Sequence, residues 1–398
     1  MSNIILNATR LSIVTIAVML VGACNKLNEP VPYTPYSEGD LANTLAKKIA
    51  ANSNYSIFNA ALVRAGLHTT LDVANANFTV FAPDNTAMTA SGLSLTVVNA
   101  LPLATLTSLL DYHIIPGERI AAAQIPETFP NVEKKSKLDI TTTAFVPSIP
   151  TTTIPIKMSI FPSRRGSAAW ANNVPVTSAD VITGSNGVIH RVATAVAPPT
   201  RVLLDTIARD PDFSYLVAAI VRADSGLVTT ASPSFQFALA QPFANLTVFA
   251  PTNAAFQALV FGLVYQAVFA ATNDAGIATA QANAAVAAGP AFLSTNNVTT
   301  ALVRGIIAYH LMGTRVFSVN FGATAANFPT LVNGSVPSHP GVAVSSTLVN
   351  GLGVGLSVRG VGNTAAATAA GASPTVPLVD RMAVNGNFFK INQVLLPQ

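Results

Sequence analysis

Apolar positions along this chain follow two alternating periods, and each change of period marks an element. Residues 78–88 read Phe-Thr-Val-Phe-Ala-Pro-Asp-Asn-Thr-Ala-Met. The β-branched and aromatic residues predict a buried strand. Pro83 closes it, because proline donates no ladder hydrogen bond. Asp84 then has the side chain of a helix N-cap. The arrangement returns at 246–259, where Pro251 and Thr252 precede Phe256 and Leu259 at helical spacing. Each copy predicts a strand, a tight turn and a helix start. Helical spacing also predicts helices over 41–51, 55–65, 101–113 and 202–208. The stretch 137–196, rich in Thr, Val, Ile and Pro, predicts strands.

Further blocks repeat in the same order. Tyr112-His113 recurs as Tyr309-His310, each closing an apolar periodic run. Residues 186–192 (Asn-Gly-Val-Ile-His-Arg-Val) recur as 385–391 (Asn-Gly-Asn-Phe-Phe-Lys-Ile), and both lead to a proline, Pro198 and Pro397. A Tyr/Phe-Ser block at 55 recurs at 213. Repeats in fixed order imply two homologous domains. Helices first and strands later in each indicate an α+β class. The Asn-Gly pairs at 186 and 385 read as hairpin turns with positive φ.

These blocks resemble the fasciclin-like (FAS1) domain family, whose pattern is Thr-Val-Phe-Ala-Pro, then Tyr-His, then a closing Asn-Gly-x-Ile-His block. Both halves carry it, with one departure: Phe389 stands where the first half has His190. The resemblance implies two domains, 40–199 and 200–398, each a helical layer packed on a β-sandwich or wedge. It also implies adhesion or interaction without catalysis. Tyr112, His113, Tyr309 and His310 would then form a contact surface. The competing reading makes each buried imidazole a structural tie between a helix end and a strand.

The copies differ in length. From Pro83 to Tyr112 the first runs 29 positions; from Pro251 to Tyr309 the second runs 58. The excess falls at about 260–300, an Ala-rich stretch carrying Phe261, Tyr265 and Phe269, with Asp274 as its only charge. A helical hairpin broken near 272–276 is expected. It either packs on its host domain or offers an apolar face to a partner.

Composition changes the picture in two ways. Only 10% of residues are charged and 50% are hydrophobic, against roughly 25% charged in average globular domains. The exterior should therefore be neutral and rich in hydroxyl and amide groups. A net charge of +4, without basic–aromatic clusters, argues against nucleic acid. The second change is the single cysteine, Cys24. Arg10 and the apolar run 11–23 read as a secretory signal (1–23), too short to span a bilayer comfortably. Val21-Gly22-Ala23-Cys24 resembles a bacterial lipobox, which implies cleavage before Cys24 and its lipidation. The alternative is an ordinary signal with an incidental cysteine. Prolines at 30, 32 and 35 make 24–39 an extended tether. The resemblance then implies a membrane partner through the lipid anchor, and an outer-membrane or surface location.

Candidate chemistry is sparse. No Gly-x-Ser-x-Gly elbow, phosphate loop or His-Glu-x-x-His is present, and the five histidines are dispersed, so no catalytic residue, metal or cofactor is expected. Arg164-Arg165 with Trp170 reads either as an exposed loop for a glycan or polyanion, or as a solvated loop. Two functions follow: an envelope-anchored adhesion or interaction protein, or an accessory lipoprotein binding a polysaccharide or small ligand through the insertion.

Overall fold

A computed structural model describes residues 41–141, 155–294, 298–370 and 379–398. All belong to one compact unit, Gly39–Gln398. The signal segment, Cys24 and the tether expected at 24–39 lie outside the described residues.

The first half opens with helices α1 (Leu45–Ala50), α2 (Ser56–Arg64) and α3 (Leu67–Thr70), then strand β1 (Phe78–Pro83). Three helices follow, α4 (Asn85–Ala90), α5 (Leu95–Ala100) and α6 (Leu103–Tyr112), and then β2 (Ile114–Pro116). Strands β3 (Lys134–Thr141) and β4 (Pro155–Ile160) form a separate antiparallel pair. Strands β5 (Pro162–Arg165), β6 (Ala168–Ala171), β7 (Val174–Gly184) and β8 (Gly187–Val192) complete a six-stranded sheet in the order β2-β1-β8-β7-β6-β5.

The second half repeats the plan. It contains α7 (Leu203–Arg209), α8 (Ser214–Ala223), α9 (Phe235–Ala240) and β9 (Leu246–Pro251), then α10 (Asn253–Thr272), α11 (Ala275–Ala287) and α12 (Thr300–Tyr309). Strands β10 (Leu311–Met312), β11 (Ala326–Phe328), β12 (Val342–Val349), β13 (Leu352–Arg359), β14 (Ala367–Ala370), β15 (Arg381–Ala383) and β16 (Gly386–Ile391) follow. They give one eight-stranded sheet, ordered β10-β9-β16-β14-β13-β12-β11, with β15 on β16. The class is α+β.

One pairing recurs in both halves. Strand β1 lies parallel to β8, with Phe78 opposite Gly187, and β9 lies parallel to β16, with Leu246 opposite Gly386. Side chains alternate across each strand. Val80 and Ile189 enter a core with the helices, whereas Phe81 and Val192 enter one on the opposite face. Val248 and Phe388 divide from Phe249 and Phe389 in the same way. A strand buried on both faces reads as a nearly unbroken apolar run, which is why this block stands out.

The Asn-Gly pairs are turn residues for another reason than expected. Neither Asn186 nor Asn385 has a positive φ. Each side chain is a buried hub. The Asn186 Oδ1 accepts Leu45 N–H (2.8 Å), and its Nδ2 donates to the carbonyls of Leu71 (2.8 Å) and Val73 (2.9 Å). Asn385 does the same for Leu203, Leu239 and Gln241. The glycine is needed for close approach: a Cβ would sit 2.2 Å from Phe78 O at Gly187 and 2.4 Å from Leu246 O at Gly386. The turn that does take positive φ at both residues is Asn350-Gly351, between β12 and β13.

Because Asn385 is fully buried, Asn385→Ala strands three backbone groups. A loss of about 2–4 kcal/mol is expected, read as a lower urea midpoint at unchanged slope.

Candidate functional site

The Tyr-His pairs are not a surface. Tyr112, His113, Tyr309 and His310 are each at most 1% exposed, so the contact role expected for them does not hold. Each histidine follows the last residue of its helix, α6 or α12. The His113 Nδ1 lies 2.7 Å from Leu109 O, so it carries the proton and donates; Nε2 accepts Val196 N–H at 2.9 Å. His310 repeats this with Ile306 O (2.8 Å) and Leu395 N–H (2.9 Å). The imidazole thereby ties a helix end to the last segment of its half. Burial pushes both histidines down to about 4. Tyr112 donates to Ser159 O and Tyr309 to Gly341 O.

His190, also buried, donates from Nε2 to Ile120 O and accepts Asp180 N–H at Nδ1. It faces Phe81 with ring centroids 5.3 Å apart. In the second half Phe389 takes this place, stacked on Phe249 at 5.8 Å and packed on Phe321. The departure from the repeat exchanges a hydrogen-bonded ring for an apolar one in the same core position.

Arg164, Arg165 and Trp170 lie on the β5–β6 hairpin, and they do not form an exposed binding loop. The hairpin joins the two halves. Trp170, 2% exposed, donates Nε1–H to Gly351 O at 2.7 Å. Arg165 donates to Val319 O at 2.9 Å, while Arg164 stays within its own half on Ile125 O and Glu127. Trp170 and Phe161 cluster with Phe317 and Val319. Nearby, Asn131 donates to Arg315 O and to the Asn320 side chain. Arg315 is buried over the Phe161 ring at 5.1 Å and donates to Val384 O; burial lowers it to about 10. Sequence spacing held no signal for this, since the partners come from separate halves.

Buried carboxylates are also engaged. Asp224 accepts from Ser234 Oγ and from the N–H groups of Phe235 and Gln236, which hold it below its usual value against desolvation. Asp380 accepts from Ser318 and Asn387, yet burial raises it. Among the described residues, no group of three or more His, Cys, Asp or Glu is placed to hold a metal.

The remaining candidates sit on α10. Phe261, Tyr265 and Phe269 form a ladder of parallel rings with centroids 6.0 and 5.9 Å apart. Helix α10 matches α4 at its start. Thr252, like Asp84, caps the third N–H beyond it, and Asn253, like Asn85, receives a backbone N–H from the helix before the strand. The first-half helix stops after 6 residues and the second runs for 20. The chain then breaks at Asn273, with φ 49°, and Asp274 caps α11. An apolar cavity of about 460 Å³ lies between α10, α11, α12 and α8.

The structural histidines predict a pH response. In the unfolded chain they titrate near 6.5; in the fold they stay neutral down to about 4. Their stabilisation is complete above pH 6.5 and is lost as pH falls towards 4, by about 1.4 kcal/mol per pH unit for each. Asp111 and Asp380, raised by burial, act in the opposite sense. The measurement is therefore a difference. Urea midpoints between pH 7 and 4 should fall more steeply for the wild type than for the His113→Gln/His310→Gln variant.

Comparison with known proteins agrees with this architecture. The family model for the Fasciclin domain matches residues 53–198. Protein sll1483 of Synechocystis sp. is 32% identical over 164 residues, covering 40% of this chain and 76% of that protein. Among solved structures, a FAS1 domain pair from the insect cell adhesion molecule Fasciclin I is similar over 88% of this chain and 95% of its own, at 13% identity and a TM-score of 0.29. On the sequence matches, this chain belongs to the fasciclin domain family.

Proposed function

We propose that this protein is a non-catalytic adhesion or interaction module of the cell envelope. Fasciclin domains act in adhesion or interaction. The observation that carries the reading is the engagement of the buried titratable groups: the three core histidines, Asp224 and Asp380 are each bonded to main chain or to structural side chains. A reactive centre needs a group held ready for a substrate. Function then falls to the exterior, where charge is scarce and contacts are individually weak. Copies held together on one surface act as a multivalent array. A lipid on Cys24, after cleavage of residues 1–23, would provide that display at the outer membrane or cell surface. The ligand would be a protein or carbohydrate.

Two measurements test this. Labelled palmitate should be incorporated by the wild type and not by Cys24→Ser; label retained in that variant overturns the anchor. The Cys24→Ser chain coupled to beads at high density should retain cells or bind a glycan array well above bare beads. Binding to neither would remove the adhesive reading.

A further inference from the structure

The cavity beneath the insertion has no counterpart role in the adhesive reading, and its physical character is unusual. Helix α10 is 20 residues long and apolar enough to cross a membrane by length and composition, yet only 17% of its most apolar window is buried. A helix apolar on every side normally lies inside protein or lipid. Here one face borders the cavity. The lining includes Val260 and Val264 from α10, Ala285 from α11, and Val303 and Ile306 from α12. Gln281 is the one polar side chain in it, and no charged residue lines it.

The first half shows how the cavity arises. There α5 covers α2, with Val98 fully buried, and Arg64 clasps the carbonyls of Val98 and Leu101. In the second half Arg222 clasps Val298 O in the same manner. What lies between strand and clasp is now a helical hairpin instead of one short helix. The hairpin is secured at its far end by Tyr215 Oη, which donates to Val286 O at 3.2 Å. The corresponding first-half residue, Ile57, has no hydroxyl to make such a bond. The insertion thus opens the helical layer and is tied down around the opening.

Shape selects the occupant. Residues from Phe256 to Val268 line the cavity, so it extends about 18 Å along α10 at 1.5 Å per residue. Spread over that length, 460 Å³ gives a mean section of about 25 Å². That is room for one extended chain and too narrow for a fused ring system. Leu263 and Leu302, 56% and 52% exposed, carry the apolar character out to the surface. Three helices wall the space, so the convex face of another protein does not enter it. We propose that this cavity is a binding site for a single fatty acyl chain, with its head group left outside near Gln281. The chain comes from a free fatty acid or from a bilayer lipid.

The test uses the full chain carrying Cys24→Ser, so that no covalent lipid is present. Saturable displacement of a fluorescent fatty acid by oleate, at one site per chain, is expected. Affinity should rise about fourfold per added methylene among short saturated acids, then level off once the cavity is filled. Val264→Phe, which fills the cavity, and Ile306→Gln, which makes its wall polar, should each weaken binding at least tenfold. Tyr265→Ala, on the ring ladder outside the lining, should leave it unchanged. Filling a void does not lower Tm, so Val264→Phe separates lost binding from misfolding. Co-sedimentation with phosphatidylcholine vesicles, lost in the same two variants, would assign the chain to a bilayer lipid. Displacement by monomeric oleate alone would assign it to the free acid. Absence of both, or binding unaffected in Val264→Phe and Ile306→Gln, overturns the proposal.

Discussion

The structure depends on a parallel strand pair that each half builds from its beginning and its end. Strand β1 cannot complete its ladder until β8 arrives, and β9 waits in the same way for β16. Such pairing between distant segments carries a loop-closure cost before any contact is gained. Both halves offset it at the same place. The asparagine before the closing strand joins that strand to the first helix and to the loop before the opening strand. The histidine after α6 or α12 then fastens the terminal segment to the helix that precedes it. These buried polar groups are fully used, which is the condition under which they specify a unique fold.

The two halves are joined by the β5–β6 hairpin and the segment around Arg315. The junction mixes an aromatic cluster with hydrogen bonds to backbone carbonyls at Gly351, Val319 and Val384. Arg315 remains charged there because its guanidinium rests on a ring and donates to a carbonyl, although burial weakens its basicity. Basic and aromatic residues that read as a ligand-binding loop are instead directed at the sister half. Once they are withdrawn from the surface, the exterior available to partners is more neutral still, in keeping with weak contacts multiplied by display.

The insertion is where the halves diverge. One replaces a short covering helix with a long apolar hairpin, and the repeated framework beneath it is unchanged: cap, asparagine clamp and arginine clasp recur at equivalent positions. A framework so strongly held tolerates added chain at a loop. The new element is therefore free to take a shape that the fold itself does not demand.

Much of this was legible in the sequence. The doubled Thr-Val-Phe-Ala-Pro strands, their caps, the Tyr-His helix ends and the α+β order follow from local periodicity and from residue chemistry that acts over a few positions. The structural tie at each histidine was one of two readings, because an apolar helix end predicts burial but cannot name the partner. The family membership rests on those same blocks. Tertiary structure alone decided the rest. Whether Asn186 turns a corner or clamps a helix depends on residues more than a hundred positions away. Whether Trp170 meets solvent depends on Gly351 in the other half. Likewise the cavity belongs to no segment: it is the gap left when α10, α11 and α12 pack, and a void between helices has no residue of its own to announce it.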